Sequence, residues 1–120
     1  MSTNPQYEGR TTVAPDVLIT IARLTALGID GVSRLVAVPA GNLPRLVKRG
    51  HIGEGVAIEI VDDVLYADLY VILKSDMNVR EISRNLQHEL TRAITEMVGM
   101  QVGRVNVHIE DIEYPAESEV

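Results

Sequence analysis

The sequence contains no cysteine, phenylalanine or tryptophan, which leaves four tyrosines as its large aromatic residues. Without cysteine the chain can form neither a disulfide nor a thiolate metal site, and this composition is compatible with a reducing cytoplasm. No segment approaches the roughly 20 apolar residues that cross a bilayer, and the N-terminus lacks the basic start and apolar run of a secretory signal. We therefore expect a cytoplasmic protein, without direct membrane insertion, whose core is aliphatic.

Basic residues are also few, since 11 Lys and Arg stand against 17 Asp and Glu, giving a formal charge of −6. Five of the acids lie within residues 110–120, where there is no Lys or Arg, so the rest of the chain is nearly neutral. Nucleic-acid binding requires a positive surface that displaces counterions, so nucleic acid is not expected as a general partner. The length fits one domain, which we assign to residues 9–114, between a disordered N-terminus (1–8) and an acidic C-terminal tail (115–120).

The strongest structural signal is a β-hairpin over residues 55–74. Apolar residues alternate along both halves, as in strands with one buried face. If Asp62 and Asp63 form a two-residue turn, Ile60 lies opposite Leu65 and every inward residue meets another inward residue. A slip of one residue would turn one strand's apolar set to solvent, so the turn length and the apolar phase support the same register.

Two helices and further strands surround this hairpin. One helix is predicted from Pro15 to Leu27. A second helix is predicted to follow a capping box at Asn78 and to end at about Val98. Strands are predicted at 32–38 and 102–112, with a short edge strand at 9–13 and an irregular loop at 39–55. Because a strand, a crossover helix and another strand form a parallel unit, the last strand should run parallel to one hairpin strand. The predicted fold is an α+β two-layer sandwich, a mixed β-sheet with two helices on one face, in the order (β)-α-β-β-β-α-β.

Three surfaces are candidates for contacts with other molecules. The first helix is apolar on nearly every side, which fits either burial between layers or an exposed contact surface. The loop at 39–55 carries the main basic cluster of the chain, and two tyrosines lie on the hairpin face away from the helices, where they either meet a second subunit or flank the loop. The candidate interaction residues are Leu18, Ile19, Arg45, Lys48, Arg49, His51, Tyr66 and Tyr70.

Motifs that carry chemistry are sparse. No P-loop, GxSxG, HExxH or dinucleotide-binding fingerprint occurs, so we predict no enzymatic activity, no catalytic residues and no cofactor. His108 and Glu110 share the outer face of the last strand, but two ligands do not make a metal site. Asp68 is interpreted as a solubilising residue. Gly50–Gly53 matches the GxxG loop of KH-type RNA-binding domains, although it leads into a strand; RNA binding through this basic loop is the alternative function.

Long stretches of the sequence resemble the alkaline-shock-protein and general-stress-protein family of bacteria. The resemblance covers about residues 9–114, and its most specific parts are Gly31-Val32, Gly55-Val56, Met97–Gly99 and Val105–Ile109. At Ala14 the sequence departs from the helix-capping serine that is frequent in the family.

The resemblance implies a non-enzymatic envelope or alkaline stress response protein that acts as a self-associating interaction or scaffold domain. It implies a homo-oligomer and docking to a membrane-anchored protein partner, as some family members do. Because other members are encoded beside a fatty-acid kinase, an accessory regulator of such a kinase is a further alternative. The resemblance carries no catalytic residues.

Overall fold

The computed structural model describes residues 11–42 and 50–114 of the chain. Its elements are α1 (Pro15–Leu27), β1 (Val32–Leu35), β2 (His51–Gly53), β3 (Val56–Val61), β4 (Val64–Lys74), α2 (Val79–Val98) and β5 (Gln101–Glu113), with a 3₁₀ turn at Ala40–Asn42. The five strands form one mixed sheet, and the side chains of both helices share one core with one of its faces. The predicted α+β two-layer fold is confirmed.

The β3–β4 hairpin has the predicted register. Ile60 lies opposite Leu65, and Val61 lies opposite Val64. Asp62 and Asp63 connect the strands with positive φ angles of 53° and 66°. Two consecutive positive φ values are typical of a type I′ turn, whose twist matches that of the flanking strands. The turn and the apolar alternation therefore select the same pairing.

Strand β4 is the centre of the sheet. One of its edges pairs in parallel with β5 from Val64 to Lys74, as the crossover helix predicts. The other edge is shared end to end by β3 and β1, which pair antiparallel with different halves of β4. Gly55 stands at the junction with a φ of 75°, and a Cβ there would lie 2.6 Å from Leu35 Cβ. Its carbonyl accepts a hydrogen bond from the Tyr70 N–H at 2.9 Å.

The core between the helices and the sheet is aliphatic, as the composition predicts. Helix α2 buries one clean face, formed by Ile82, Leu86, Leu90 and Ile94. The helix begins where Asn78 Oδ1 accepts a hydrogen bond from the Glu81 N–H at 3.0 Å, and it ends at Gly99 with a φ of 80°. Helix α1 has no side-chain cap at Ala14.

Three local predictions differ from the structure. Strand β1 ends at Leu35 and not at Val38, because β3 pairs with Val64–Leu69 of β4 and occupies the edge that a longer β1 would need. The loop at 39–55 is not wholly irregular, since it contains β2, whose pairing with β3 places His51 opposite Ile58. Residues 11–13 of the predicted edge strand are not in a strand. The predictions for residues 1–8 and 115–120 fall outside the described residues.

Candidate interaction surfaces

The exposed side of α1 is formed by residues other than those predicted. Leu18 and Ile19 are only 1% and 7% exposed and belong to the core, because they lie on the side of the helix that packs on the sheet. The apolar side chains that α1 leaves in solvent are Val17, Leu24 and Leu27, which are 48%, 57% and 41% exposed. The apolar character that encircles α1 therefore includes both a buried face and an exposed stripe.

The basic loop is only partly described. Arg45, Lys48 and Arg49 lie outside the described residues, so their predicted role stays a prediction. His51 is exposed on β2 at an edge of the sheet.

The glycines of the GxxG segment have packing roles. A Cβ at Gly50 would lie 2.1 Å from the Ile58 carbonyl oxygen, and one at Gly53 would lie 2.5 Å from Ile19 Cγ2. The segment forms a strand that leads into β3, whereas the KH loop lies between two helices. Close packing of β2 against β3 and α1 accounts for these glycines.

The sheet face opposite the helices carries a polar cluster that spans β4 and β5. Because β4 and β5 are parallel and in register, Asp68 pairs with Asn106 and Tyr70 pairs with His108. Asp68 Oδ1 lies 2.8 Å from His108 Nε2 and accepts a hydrogen bond from Asn106 Nδ2 at 3.2 Å. The His108 ring stacks on Tyr70 with a centroid distance of 4.4 Å and an interplanar angle of 9°.

This cluster changes the interpretation of both tyrosines. Tyr70 is fully buried, against His108 and beside the segment after β1, whose Val36 N–H donates to the Tyr70 carbonyl at 2.9 Å. Tyr70 therefore presents no side-chain surface to a second subunit, and of the two predicted alternatives its burial beside the segment after β1 favours contact with the neighbouring chain segment. Tyr66 is half-buried, and the Arg104 guanidinium lies over its ring at 5.2 Å from the centroid.

The partner of His108 was not predicted from the sequence. Asp68 was interpreted as a solubilising residue, and Glu110 was the one acidic residue considered beside His108; the structure instead places Asp68 at His108 and has a β-bulge at Glu110. The register of a parallel β4–β5 pair, which brings 68 opposite 106 and 70 opposite 108, is the signal that would have found the cluster. In the described part of the chain, no group of three His, Asp or Glu side chains converges as a metal site would require.

The outer edge of β5 is open. Strand β5 has 13 residues and pairs with β4 along one edge, and no strand within residues 11–42 or 50–114 pairs with its other edge. The Val105 carbonyl accepts a hydrogen bond from Gln87 Nε2 of α2 at 3.2 Å, which shows that this carbonyl points away from β4. An open edge of this length offers unpaired backbone groups to another strand.

A groove runs between this edge and the first half of α2. It has a volume of about 580 Å³, and its lining includes Ile109 of β5 with Arg80, Arg84 and Gln87 of α2. Neither α1 nor α2 combines the length and the apolar character that crossing a membrane requires.

The described residues thus form a small two-layer α+β domain with an open sheet edge on β5 and an exposed apolar stripe on α1. Residues 3–114 match the alkaline shock protein 23 family, which is described as having a cell envelope-related function. The chain belongs to this family, which confirms the resemblance seen in the sequence.

Relatives in this family are distant but cover most of the chain. YqhY, an uncharacterized protein of Bacillus subtilis strain 168, is 24% identical over 112 residues, which are 92% of this chain and 82% of YqhY. Spy1535, an uncharacterized protein of Streptococcus pyogenes serotype M6, is 27% identical over 108 residues, which are 89% of this chain and 81% of that protein.

Among solved structures, a variant of the MamM CTD has a similar fold. The two share 12% sequence identity with a TM-score of 0.50, and the match covers 82% of this chain and 95% of that one. At this identity the likeness concerns the fold alone.

Proposed function

We propose that this chain is a non-enzymatic interaction domain that associates with copies of itself in a cell envelope-related process and docks to a membrane-anchored protein partner. The observation that carries the proposal is the open outer edge of β5, which extends over 13 residues. Globular proteins usually protect such an edge, because its free N–H and C=O groups act as a template for pairing. Membership in a family with a cell envelope-related function supports the part of the proposal that concerns the cell envelope.

The composition of the exposed surface supports the same proposal. Val17, Leu24 and Leu27 place large aliphatic side chains on the open side of α1. Such residues gain free energy when a partner removes them from water, at roughly 25 cal/mol for each Å² of apolar surface. The domain therefore has both a hydrogen-bonding edge and apolar surface that contact with other molecules would stabilise.

Self-association is tested by sedimentation velocity on the purified chain over a concentration range from low to high micromolar. The proposal predicts a sedimentation coefficient that rises with concentration as dimers or larger assemblies form. A single monomeric species at every concentration would contradict it.

Docking is tested separately by incubating the chain with membranes from the source cells. The proposal predicts that the chain sediments with untreated membranes and stays in the supernatant after the membrane proteins have been digested. Binding of equal strength to protein-free lipid vesicles would contradict a protein partner.

A further inference from the structure

We infer that β5 of one copy pairs antiparallel with β5 of a second copy, so that the two sheets join into one across a twofold axis at Val107. This inference rests on the proposed self-association and names its interface. Residue 104 of one copy then lies opposite residue 110 of the other, 105 lies opposite 109, and 106 lies opposite 108.

The backbone of β5 has the phase that this pairing requires. The Val105 carbonyl points to the open edge, where Gln87 donates to it. Alternate residues of a strand paired in parallel direct their N–H and C=O groups to opposite sides, so Val107 and Ile109 also present theirs to the open edge. In the proposed register the pairs 107–107 and 105–109 are hydrogen-bonded pairs. The Gln87 contact does not block them, because a carbonyl oxygen has two lone pairs.

The directions of the side chains favour the same alignment of the two β5 strands. Val105 and Ile109 pair with Ala67 and Val71, whose side chains lie in the core, so they face the helices. In the proposed register Val105 of one copy meets Ile109 of the other on that face. Asn106 meets His108 on the opposite face. Any shift by one residue would oppose side chains from different faces and would misalign the hydrogen bonds.

Several registers, each shifted by two residues, would oppose side chains from the same face of the sheet. The charged residues of β5 favour one of them. Arg104 is the only Lys or Arg in β5, and it is exposed, as is Glu110. Pairing about Val107 brings the Arg104 of each copy close to the Glu110 of the other, where the second bulge begins, which gives two pairs of opposite charge across the axis. A shift of two residues in either direction would oppose Arg104 to His108 or to Ile112 and would lose both pairs. Opposite charges directly across an antiparallel pair stabilise it, and like charges destabilise it.

Two β-bulges define how far the pairing extends. The register between β4 and β5 shifts between Val102 and Arg104 and again between Ile109 and Asp111. Bulges bend and twist an edge, which restricts regular pairing with another strand to residues 104–109 and leaves Glu110 at the boundary of the contact. The inferred contact is therefore short, and we expect an association that depends on concentration.

The first test exchanges the charges of the edge. Arg104→Glu and Glu110→Arg each replace two attractive pairs by two repulsive ones, and each should weaken self-association by about tenfold or more. The double variant Arg104→Glu/Glu110→Arg restores opposite charges and should return the dissociation constant to within about threefold of the unchanged chain. Urea unfolding of all three variants identifies any loss of folding, and the double variant controls for the lost contact between Arg104 and Tyr66.

The second test uses the absence of cysteine from the chain. In the variant Val107→Cys, the two thiols of a dimer lie opposite each other at the axis, so mild oxidation should give a disulfide-linked dimer. The matched control Val17→Cys places a thiol on the exposed stripe of α1 and should not form the linked dimer efficiently.

The outcomes separate this inference from the proposed function. Charge reversal that weakens association, restoration by the double variant and crosslinking at position 107 would support the interface. A dissociation constant that is unchanged in all the charge variants, or crosslinking through position 17 and not through 107, would overturn the interface and leave self-association intact. A monomeric chain at every concentration would overturn both.

Discussion

Asp68 and His108 are joined across β4 and β5 by a contact of 2.8 Å between Oδ1 and Nε2. The same oxygen accepts the Asn106 amide at 3.2 Å, and the His108 ring stacks on Tyr70. An ionised carboxylate only accepts hydrogen bonds, so the imidazole donates through Nε2. One part-buried carboxylate thus satisfies two donors on the neighbouring strand and links β4 to β5 by side chains as well as by backbone pairing.

We predict that Asp68→Ala lowers the free energy of unfolding by about 1–3 kcal/mol, because it leaves the Asn106 amide and the His108 imidazole without their acceptor. Urea denaturation followed by circular dichroism measures the change. The control Asp76→Ala removes a carboxylate from an exposed position and should change stability by less than about 0.5 kcal/mol. Equal effects of the two substitutions would show that the cluster adds no stability.

Substitutions at the N-caps of the two helices should change the stability of the protein in opposite directions. Asn78→Ala removes the side chain that caps α2 and should cost about 1 kcal/mol. Ala14→Ser adds a hydroxyl at an extended residue before α1, where no side chain caps the helix, and should raise stability by about 0.5–1 kcal/mol. Thermal unfolding of both variants checks the signs. A melting temperature lowered by Ala14→Ser would contradict the assignment of Ala14 as the N-cap.

Two substitutions in the β3–β4 turn should also change the stability of the protein in different directions. Asp63 has a φ of 66°, which glycine adopts freely and β-branched residues adopt only with strain. Asp63→Gly should leave stability unchanged or raise it by up to about 1 kcal/mol, whereas Asp63→Val should lower it by roughly 1–2 kcal/mol. Urea denaturation measures both. Equal stability of the two variants would contradict the I′ geometry.

The two sides of α1 should respond differently to truncation. Leu18→Ala opens a cavity in the core and should cost about 2–5 kcal/mol. Leu24→Ala removes an exposed side chain and should cost less than about 1 kcal/mol in the monomer. Chemical denaturation at low protein concentration compares them. A larger loss for Leu24→Ala would mean that the helix is rotated from the orientation described.

The sequence predicted the fold well wherever two local signals agreed. At the hairpin, the two-residue turn at Asp62 and Asp63 and the apolar alternation required the same register. At α2, the cap at Asn78 and the apolar face required the same helix. The end of β1 could not be predicted in this way, because it depends on competition with β3 for one edge of β4. Strand β2 was missed because its three residues are too few to show an alternation.

The surfaces were harder to predict than the fold. Periodicity showed that α1 is apolar on nearly every side, but it could not show which side faces the sheet, so Leu18 and Ile19 were selected in place of Val17 and Leu24. Tyr70 lies on the face away from the helices, as predicted, but it is buried there beside His108. The open edge of β5 follows from the order of the strands, which a single sequence does not specify.

Association through the edge of β5 is tested most directly by amide hydrogen exchange of this strand, resolved by residue and measured as a function of protein concentration. We predict that the amides of Val107 and Ile109, which point to the open edge, exchange rapidly in dilute protein and become protected as the chain associates. If these two amides still exchange rapidly at concentrations where the chain is associated, association through the edge of β5 is contradicted.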